Sequence, residues 1–338
     1  MSNWYLQNGK DSDIVISSRI RMARNIAEFP FEIKCSQNSL EEIVKKIEEI
    51  TPSIGYGIKL LKLRNMDDVT KMSLVEKRVI SPNFALKKNE EGAILINDDE
   101  NICIMINEED HLRIQVFASG LELENLLNLA VEVDEKIGKL LNYSYSEKYG
   151  FLTACPTNVG TGMRASVMVH LPALTRTGNI RKILEIVNNF GMNVRGIYGE
   201  GSEASGDMYQ ISNKQCLGLS EKEIIKNLKL ITDKIIEQER LARKYLCKNG
   251  IELEDKIYRA YGVLSNCRKI SSKEVRNILS EVKLGVDLGI IKELDDFKVK
   301  KLELYTKPAN LQKYLGKLYE DYERDIKRAE VIKQIVNT

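Results

Sequence analysis

Alternating polar and apolar positions predict strands in the first two thirds of the chain. Residues 13–21, DIVISSRIR, alternate so that Ser17, Arg19 and Arg21 share one face of a strand. Residues 101–117, NICIMINEEDHLRIQVF, predict two strands joined by a polar turn. Arginines are seldom packed in an apolar core, so we do not expect apolar side chains to cover this face of the first strand.

The second strand of the 101–117 pair divides its side chains by face. One face has the apolar residues Leu112, Ile114 and Val116. The opposite face has His111, Arg113, Gln115 and Phe117. A further strand is predicted at 166–174, SVMVHLPAL.

Apolar residues three and four positions apart predict helices over 39–50, 121–141, 179–191 and 220–246. Two of these helices begin with a capping box, in which a serine and a glutamate three residues later satisfy each other's backbone N–H groups. The pairs are Ser39 with Glu42 and Ser220 with Glu223.

The character of the chain changes after Lys248-Asn249-Gly250. Strand patterns nearly vanish, and stretches such as 271–285 and 310–336 are helical. The chain therefore predicts an α+β body over residues 1–245, followed by a small helical C-terminal domain over 246–338. Its 338 residues suffice for one large domain or two moderate ones.

Composition narrows the class of protein. The 51 basic and 49 acidic side chains leave a formal charge of +2, which gives no support for a nucleic-acid-binding surface. No apolar run approaches the roughly 20 residues that cross a bilayer, and the N-terminus lacks the apolar core of a signal peptide. The six cysteines are scattered and there are two histidines, so a structural zinc site is not expected. These features predict a cytoplasmic protein without a membrane or nucleic-acid partner.

Arginines recur where predicted strands meet loops, in a chain that has no P-loop, kinase-type glycine loop or nucleophile elbow. A guanidinium fork suits phosphate oxygens, and phosphoryl transfer needs mainly positioning and neutralisation of negative charge. Arginines that converge on a triphosphate would supply both. The alternative at each position is a solvated or ion-paired side chain. The five residues are Arg19, Arg21, Arg113, Arg164 and Arg195.

Residues 195–206, RGIYGEGSEASG, combine glycines with charge. The glycines allow backbone angles that other residues avoid, while the segment also carries Arg195 and Glu200. Strand parity places Glu109, in the acidic turn of the 101–117 pair, on the arginine-bearing side. We interpret the glycine segment as a lid whose Glu200 meets Glu109 when substrate binds. A solvated acidic turn is the alternative.

Four blocks, in this order, resemble the ATP:guanido phosphotransferase (phosphagen kinase) family: SSRIRMARN, NEEDHLRIQ, CPTNVGTGMRAS and RGIYGEGSEASGDMYQISN. The resemblance runs from about residue 11 to residue 242. It implies an antiparallel sheet flanked by helices and ATP-dependent transfer to a guanidinium. It also implies Mg2+ that is bound through ATP, with no metal ligand from a protein side chain.

The resemblance assigns roles residue by residue. The catalytic carboxylates match Glu109 and Glu200, and the reactive cysteine at the substrate site matches Cys155. Arg78 and Met168 stand where the family usually has histidines that contact the nucleotide. The implied ATP-binding set is Ser17, Ser18, Arg19, Ile20, Arg21, Arg78, Arg113, Arg164, Ala165, Ser166, Val167, Met168, Arg195, Gly196, Ile197, Tyr198 and Gly199.

Within this family the chain resembles the bacterial protein arginine kinases over nearly its whole length. The blocks are EKRVISPN (76–83), RGIYGEGSEA (195–204), IELEDKIYRAYGVLSNCR (251–268), VKLGVDLGII (282–291) and ERDIKRAE (323–330). The last contains RDxxRA, which implies an allosteric phosphoarginine pocket at Arg324, Asp325, Arg328 and Ala329. Arg324 and Arg328 are four apart and share a helix face. The alternative is a solvated face.

The expected function is therefore a protein arginine kinase. The resemblance implies that it marks proteins with exposed arginines for a Clp-type protease and acts in stress responses, with a zinc-containing activator and self-association as a dimer or larger homo-oligomer. One alternative is a small-molecule guanidino kinase. The SSRIR strand begins almost at the N-terminus, so the helical domain that encloses small guanidino substrates is expected to be missing. The other alternative is an inactive adaptor that binds phosphoarginine.

Overall fold

The structure, a computed structural model, describes residues 3–87, 91–196 and 205–338. Its strands are β1 Val15–Arg24, β2 Lys59–Lys62, β3 Ala93–Ile96, β4 Ile102–Ile106, β5 Leu112–Ser119, β6 Tyr145–Ser146, β7 Gly150–Phe151, β8 Met163–His170, β9 Met192–Gly196 and β10 Met208–Asn213. An eight-stranded sheet has the order β2-β3-β4-β5-β1-β8-β10-β9, and every neighbouring pair is antiparallel. β6 and β7 form a separate hairpin.

Helices flank this sheet and make up the C-terminal part of the chain. They are α1 Gln37–Ile54, α2 Asp68–Glu76, α3 Pro82–Leu86, α4 Leu123–Gly138, α5 Pro172–Arg176, α6 Ile180–Asn189, α7 Glu221–Leu246, α8 Gly250–Asn266, α9 Ser272–Asp287, α10 Asp296–Tyr305, α11 Pro308–Leu315 and α12 Asp321–Asn337. Short 3-10 helices include Trp4–Leu6, Pro156–Asn158 and Ser205–Asp207. The expected antiparallel sheet flanked by helices is confirmed.

The two faces of the sheet bury different sets of side chains. One face contributes Ile20, Ile114 and Val167 to a large apolar cluster that also contains residues of α1, α4 and α7. At the β3–β5 end, the other face is covered by a smaller cluster that includes Trp4 and Phe117. On β1, this second face presents Ser17, Arg19 and Arg21, which are all half-buried. The period-two reading of the first strand is confirmed.

Most helices and strands lie where the residue pattern predicts them, with three differences. The first helix is capped by Ser36, whose side chain accepts a hydrogen bond from the Ser39 N–H, so the predicted Ser39 cap is wrong. The strand predicted over 166–174 ends at His170, because Pro172 begins a short helix and has no N–H to donate. The stretch 310–336 forms two helices, separated where Gly316 has a left-handed φ of 66°. The Ser220–Glu223 capping box is confirmed.

The C-terminal helices bury an apolar cluster of their own, built from α8 to α12. A 3-10 helix, Cys247–Asn249, joins α7 to α8, and Leu246 packs against both this cluster and the large one. The division at 245/246 stays a prediction. Within the described residues, no helix is both long enough and apolar enough to cross a membrane.

Polar contacts tie the C-terminal helices to the sheet. Glu76 at the end of α2 accepts the backbone N–H groups of Ala309 and Asn310, both at 2.8 Å, and thereby caps α11. Lys300 of α10 donates to the Gln7 carbonyl at 2.7 Å and so holds the N-terminal segment. Glu76 lies two residues before Arg78, and the Gln7 N–H donates to the Trp4 carbonyl at 3.2 Å.

Candidate active site

Strand register brings the predicted arginines together on one face. Arg21 of β1 lies directly opposite Arg164 of β8. Two residues further along β1, Ala23 lies opposite Arg113 of β5. Residues directly opposite each other on antiparallel strands have Cβ atoms about 5 Å apart, so these side chains share one small area. Arg19, opposite Phe117 and Ser166, extends the positive surface along β1.

Arg195 and Arg78 approach the same face from its surroundings. Arg195 of the edge strand β9 lies opposite Gln210 of β10, which in turn lies opposite Met168. Arg78 follows α2, has a left-handed φ of 64° and helps to line a cleft with Arg19. The structure therefore gathers Arg19, Arg21, Arg78, Arg113, Arg164 and Arg195 around one face.

The guanidinium groups on this face lie close enough to repel one another. Burial, followed by the charges of Arg78, Arg113 and Arg164, lowers the pKa of Arg19 to about 9. Burial and three neighbouring guanidinium groups also lower the pKa of Arg21, well below its usual value. The Arg21 Nε–H is buried and has no hydrogen-bond partner among the described residues. A bound polyanion would relieve both the repulsion and the unpaired donor.

The acidic turn lies at the Arg113 end of this surface. Arg113 contacts Glu108 at 2.8 Å and Glu109 at 3.1 Å. The two carboxylates differ in setting: the Glu108 side chain is 9% exposed and also accepts from the Ser81 hydroxyl, whereas the Glu109 side chain is 43% exposed. Burial raises the pKa of Glu109, opposed by the positive charge of Arg113. Glu109 is thus the solvent-reachable carboxylate beside the arginines.

A buried carboxylate fixes the base of the turn. Asp110 is 1% exposed, and one of its oxygens accepts from the Asn25 amide at 2.6 Å and from the Ala154 N–H at 2.7 Å. The Asn25 side-chain oxygen accepts from the His111 N–H at 2.9 Å. Asp110 therefore joins the acidic turn to the segment that precedes Cys155. No sequence pattern distinguishes it from its acidic neighbours.

Cys155 lies at the start of the 3-10 helix Pro156–Asn158 and is half-buried. Its Sγ is 3.0 Å from the Thr157 hydroxyl. Through Asp110 and Ala154, the cysteine is attached to the same turn as Glu109. Its assigned role at the substrate site stays a prediction.

The two histidines have structural partners. The Nδ1 atom of His111 accepts the Ile26 N–H at 3.0 Å, so its Nε2–H donates to the Pro30 carbonyl at 2.9 Å. His170 is 1% exposed and its Nε2 lies 2.8 Å from the Ser280 hydroxyl, which donates to Asp207 at 2.6 Å. Burial lowers the pKa of both imidazoles. Each ring is thus held by hydrogen bonds within the fold.

Other members of the predicted ATP-binding set are divided between the two faces of the sheet. Ser17, Ser166 and Met168 line the cleft beside Arg19. Ser18 donates to the Gly120 carbonyl at 2.7 Å, and the side chains of Ile20, Ala165 and Val167 belong to the large apolar cluster. These four side chains therefore lie on the face opposite the arginines. Gly196 ends β9, while Ile197, Tyr198, Gly199, Glu200 and Glu203 lie outside the described residues.

The RDxxRA residues lie on α12. Arg328 is 1% exposed; it donates to the Thr306 carbonyl at 2.7 Å and the Ile270 carbonyl at 2.8 Å, and it pairs with Asp325. Arg324 pairs with Asp321 and its side chain is 22% exposed. Ala329 is buried in the C-terminal cluster. On the helix face that the two arginines share, Arg328 is therefore buried and bonded to backbone carbonyls, whereas Arg324 is partly exposed.

Some residues on the arginine-bearing face were not predicted from the sequence. Ser212 accepts from two nitrogens of Arg164, at 3.2 and 3.0 Å. Gln210 and Trp4 line the cleft beside Arg19. Alternation along MYQISN could have placed Gln210 and Ser212 on one face, but no sequence pattern places Trp4 there. Among the described residues, no group of three or more His, Cys, Asp or Glu could hold a metal ion.

This fold and site define a guanidino phosphotransferase. The family model for the C-terminal catalytic domain of ATP:guanido phosphotransferases matches residues 39–242, and that for the protein-arginine kinase McsB C-terminal domain matches residues 250–338. The chain belongs to the ATP:guanido phosphotransferase family, in its protein-arginine kinase branch.

Relatives and solved structures agree with this placement. The chain is 50% identical to a protein-arginine kinase of Halothermothrix orenii, over 100% of this chain and 97% of that protein. It is 47% identical to one from a Geobacillus species, over 99% and 93%. The crystal structure of lombricine kinase superposes with a TM-score of 0.60 at 26% identity, covering 69% of this chain and 68% of that one. A duplicated taurocyamine kinase of Schistosoma mansoni, at 24% identity and a TM-score of 0.60, shares the fold and covers 81% of this chain and 42% of that one.

Proposed function

We propose that this protein transfers the γ-phosphoryl group of ATP to arginine side chains of proteins. The observation that carries the proposal is the juxtaposition of an arginine-rich sheet face with Glu109, the half-exposed carboxylate at its end. The relatives that the chain matches over nearly their whole length are protein-arginine kinases. A guanidinium acceptor needs a carboxylate, and a triphosphate donor needs cations.

The donor fits the positive face. Triphosphate oxygens would take the charge-assisted hydrogen bonds of Arg19, Arg21 and Arg164, and the unpaired Arg21 Nε–H offers one donor already buried there. When bound with the nucleotide, Mg2+ would supply further neutralisation of the phosphate charge. Arg113 lies between this face and the acidic turn, so it can contact the phosphoryl group as it moves toward the acceptor.

The acceptor fits the acidic end. A guanidinium nitrogen attacks the γ-phosphorus, a P–N bond forms, the bond to the β–γ bridging oxygen breaks and ADP leaves. The guanidinium loses one proton, and a carboxylate, Glu109 or Glu200, accepts it. Because burial raises the pKa of Glu109, its carboxylate is a stronger base than that of an ordinary glutamate.

We further propose that the C-terminal helices regulate the enzyme. The partly exposed Arg324 is the member of the RDxxRA motif that a phosphoguanidinium could reach, while Arg328 organises the surrounding carbonyls. We place the protein in the cytoplasm, self-associated through its helical domain. Its targets would be proteins with exposed arginines, delivered to a Clp-type protease under stress, with a zinc-containing protein as activator.

The test is transfer of label from radiolabelled ATP to an unfolded protein. Label on arginine is lost in acid and survives alkali, as expected of a P–N bond. The Glu200→Ala variant should lose it, whereas Glu203→Ala, a carboxylate in the same segment, should keep it. Label on free arginine but not on protein would indicate a small-molecule kinase, which the likeness to lombricine kinase makes the second candidate. Label on neither, even with an activator, would contradict the kinase assignment.

A further inference from the structure

Arg78 occupies a strained backbone position at the end of α2. Its φ of 64° is in the left-handed region, which residues other than glycine seldom adopt. The Arg78 N–H donates to the Val75 carbonyl at 2.8 Å, and the next N–H, of Val79, donates to Leu74 at 2.9 Å. This pair of bonds is the Schellman motif, in which glycine usually takes the left-handed position. An arginine there persists because surrounding contacts hold the turn.

Helix α11 of the C-terminal region supplies contacts to the last turn of α2. The Glu76 carboxylate accepts the backbone N–H groups of Ala309 and Asn310 and also the Asn310 side-chain amide, each at 2.8 Å. The Asn310 side-chain oxygen accepts from the Ser73 hydroxyl at 2.9 Å, and both of these residues are buried. Two side chains of α2 are therefore bonded to α11 just before the chain reaches Arg78.

Lys307, the residue before α11, contacts the backbone of the same turn. Its ammonium donates to the Glu76 carbonyl at 2.9 Å, which is one of the carbonyls that the end of a helix leaves unpaired. The carbonyl of the preceding Thr306 accepts from Arg328 at 2.7 Å, so the segment is also attached to α12. Burial, followed by the charge of Arg78, lowers the pKa of Lys307 to about 8. The ammonium therefore lies near that guanidinium as well as on the helix end.

Arg78 lies between the arginine-bearing face and the C-terminal helices. On the sheet side, its charge adds to the effect of burial in lowering the pKa of Arg19. On the other side, the charges of Lys283, Lys307 and Arg78 oppose the increase that burial causes in the pKa of Glu303 on α10. The direction of the Arg78 side chain thus depends on a turn that the C-terminal helices hold.

We propose that Lys307 and Asn310 are positioning residues, which fix the end of α2 so that the Arg78 guanidinium is directed to the arginine-bearing face. The proposal rests on ATP being the phosphoryl donor, as proposed above. A cation that is already oriented loses less conformational freedom when it binds an anionic ligand. The C-terminal helices then contribute directly to the affinity for the donor.

The first test replaces Lys307 with Met in the full-length protein, which keeps the length of the side chain and removes its donor. The KM for ATP in label transfer to an unfolded protein should rise about three- to tenfold with little change in kcat. Lys298→Met is the matched control, because Lys298 is also half-buried and donates to a carbonyl, that of Val336 within the C-terminal helices. An unchanged KM in Lys307→Met, or an equal rise in both variants, would overturn the proposal.

A double variant separates positioning from a general loss of stability. Arg78→Ala should raise the KM for ATP, and adding Lys307→Met should raise it no further, because a residue that acts only through Arg78 has no effect once that side chain is gone. Two effects that multiply would contradict the proposal. If urea denaturation shows that Lys307→Met does not fold, Asn310→Ala takes its place, with the same expected rise and the same contradicting outcomes.

Calorimetry of ATP binding distinguishes this proposal from the kinase function, since it does not require transfer. Weaker binding in Lys307→Met, with no label transferred by the parent, would support the positioning role and contradict the function. Transfer by the parent, with equal KM and equal affinity for ATP in Lys307→Met, would support the function and contradict the positioning role. A parent protein that does not bind ATP would contradict both.

Discussion

Glu108 and Glu109 are adjacent carboxylates that both contact Arg113, but the Glu108 side chain is buried and the Glu109 side chain is partly exposed. Replacing Glu109 with Gln keeps its shape and removes its charge and basicity. If Glu109 orients or deprotonates the acceptor, the variant should lose activity by about a hundred- to ten-thousand-fold, which is the usual value of a positioned acid–base group. That loss corresponds to a barrier higher by about 2.7–5.5 kcal/mol.

The free energy of unfolding should fall more in the Glu108 variant than in the Glu109 variant, the reverse of the order expected for activity. The Glu109 side chain is 43% exposed, so its ion pair with Arg113 contributes about 0–1 kcal/mol and Glu109→Gln should unfold almost as the parent does. Glu108 is 9% exposed and accepts from Arg113 and from the Ser81 hydroxyl at 2.7 Å. Glu108→Gln places an amide donor among these donors and should cost about 1–3 kcal/mol, with a smaller loss of turnover.

The assay pairs turnover on an unfolded arginine-containing protein with urea denaturation, for both variants and the parent. In the parent, activity should decline on acidification in a range above the ordinary glutamate pKa, because the pKa of Glu109 is raised and the carboxylate form is required. Full activity in Glu109→Gln, or a greater kinetic defect in Glu108→Gln, would refute the reasoning.

The remaining predictions concern the C-terminal helices and pH. Glu76→Ala leaves the N-terminal N–H groups of α11 without their acceptor, so the free energy of unfolding should fall by about 2–4 kcal/mol in urea denaturation. Burial lowers the pKa of His170, so the unfolded state binds a proton that the folded state does not, and stability should fall as the pH drops below about 6.5. His170→Gln should make that pH dependence of denaturation shallower; an unchanged slope would contradict it. Arg328→Ala should lower the melting temperature because it frees two carbonyls, whereas Arg324→Ala should spare it and weaken activation by added phosphoarginine; the opposite pattern would count against the pocket.

The structure agrees best with the sequence pattern where chemistry and local periodicity coincide. Alternation in DIVISSRIR was enough to place Ser17, Arg19 and Arg21 on one face, because a strand turns its side chains by half a turn per residue. The parity of the 101–117 pair likewise separated Ile114 from Arg113. Errors occurred at the ends of elements, as at Ser36 and Pro172, where one hydrogen bond or one missing N–H decides the boundary.

Sequence patterns alone therefore determined the class of fold, the candidate arginines and the carboxylate Glu109. Only the tertiary structure decided which of these groups meet. Arg21 and Arg164 are far apart in the chain and become neighbours through antiparallel register, which no local pattern encodes. The same holds for Asp110, whose burial against Asn25 and Ala154 sets it apart from the adjacent acidic residues. It also holds for Trp4, which lines the cleft beside Arg19 although no local pattern places it there. Periodicity is a property of consecutive residues, whereas a site depends on contacts between segments that the sequence separates.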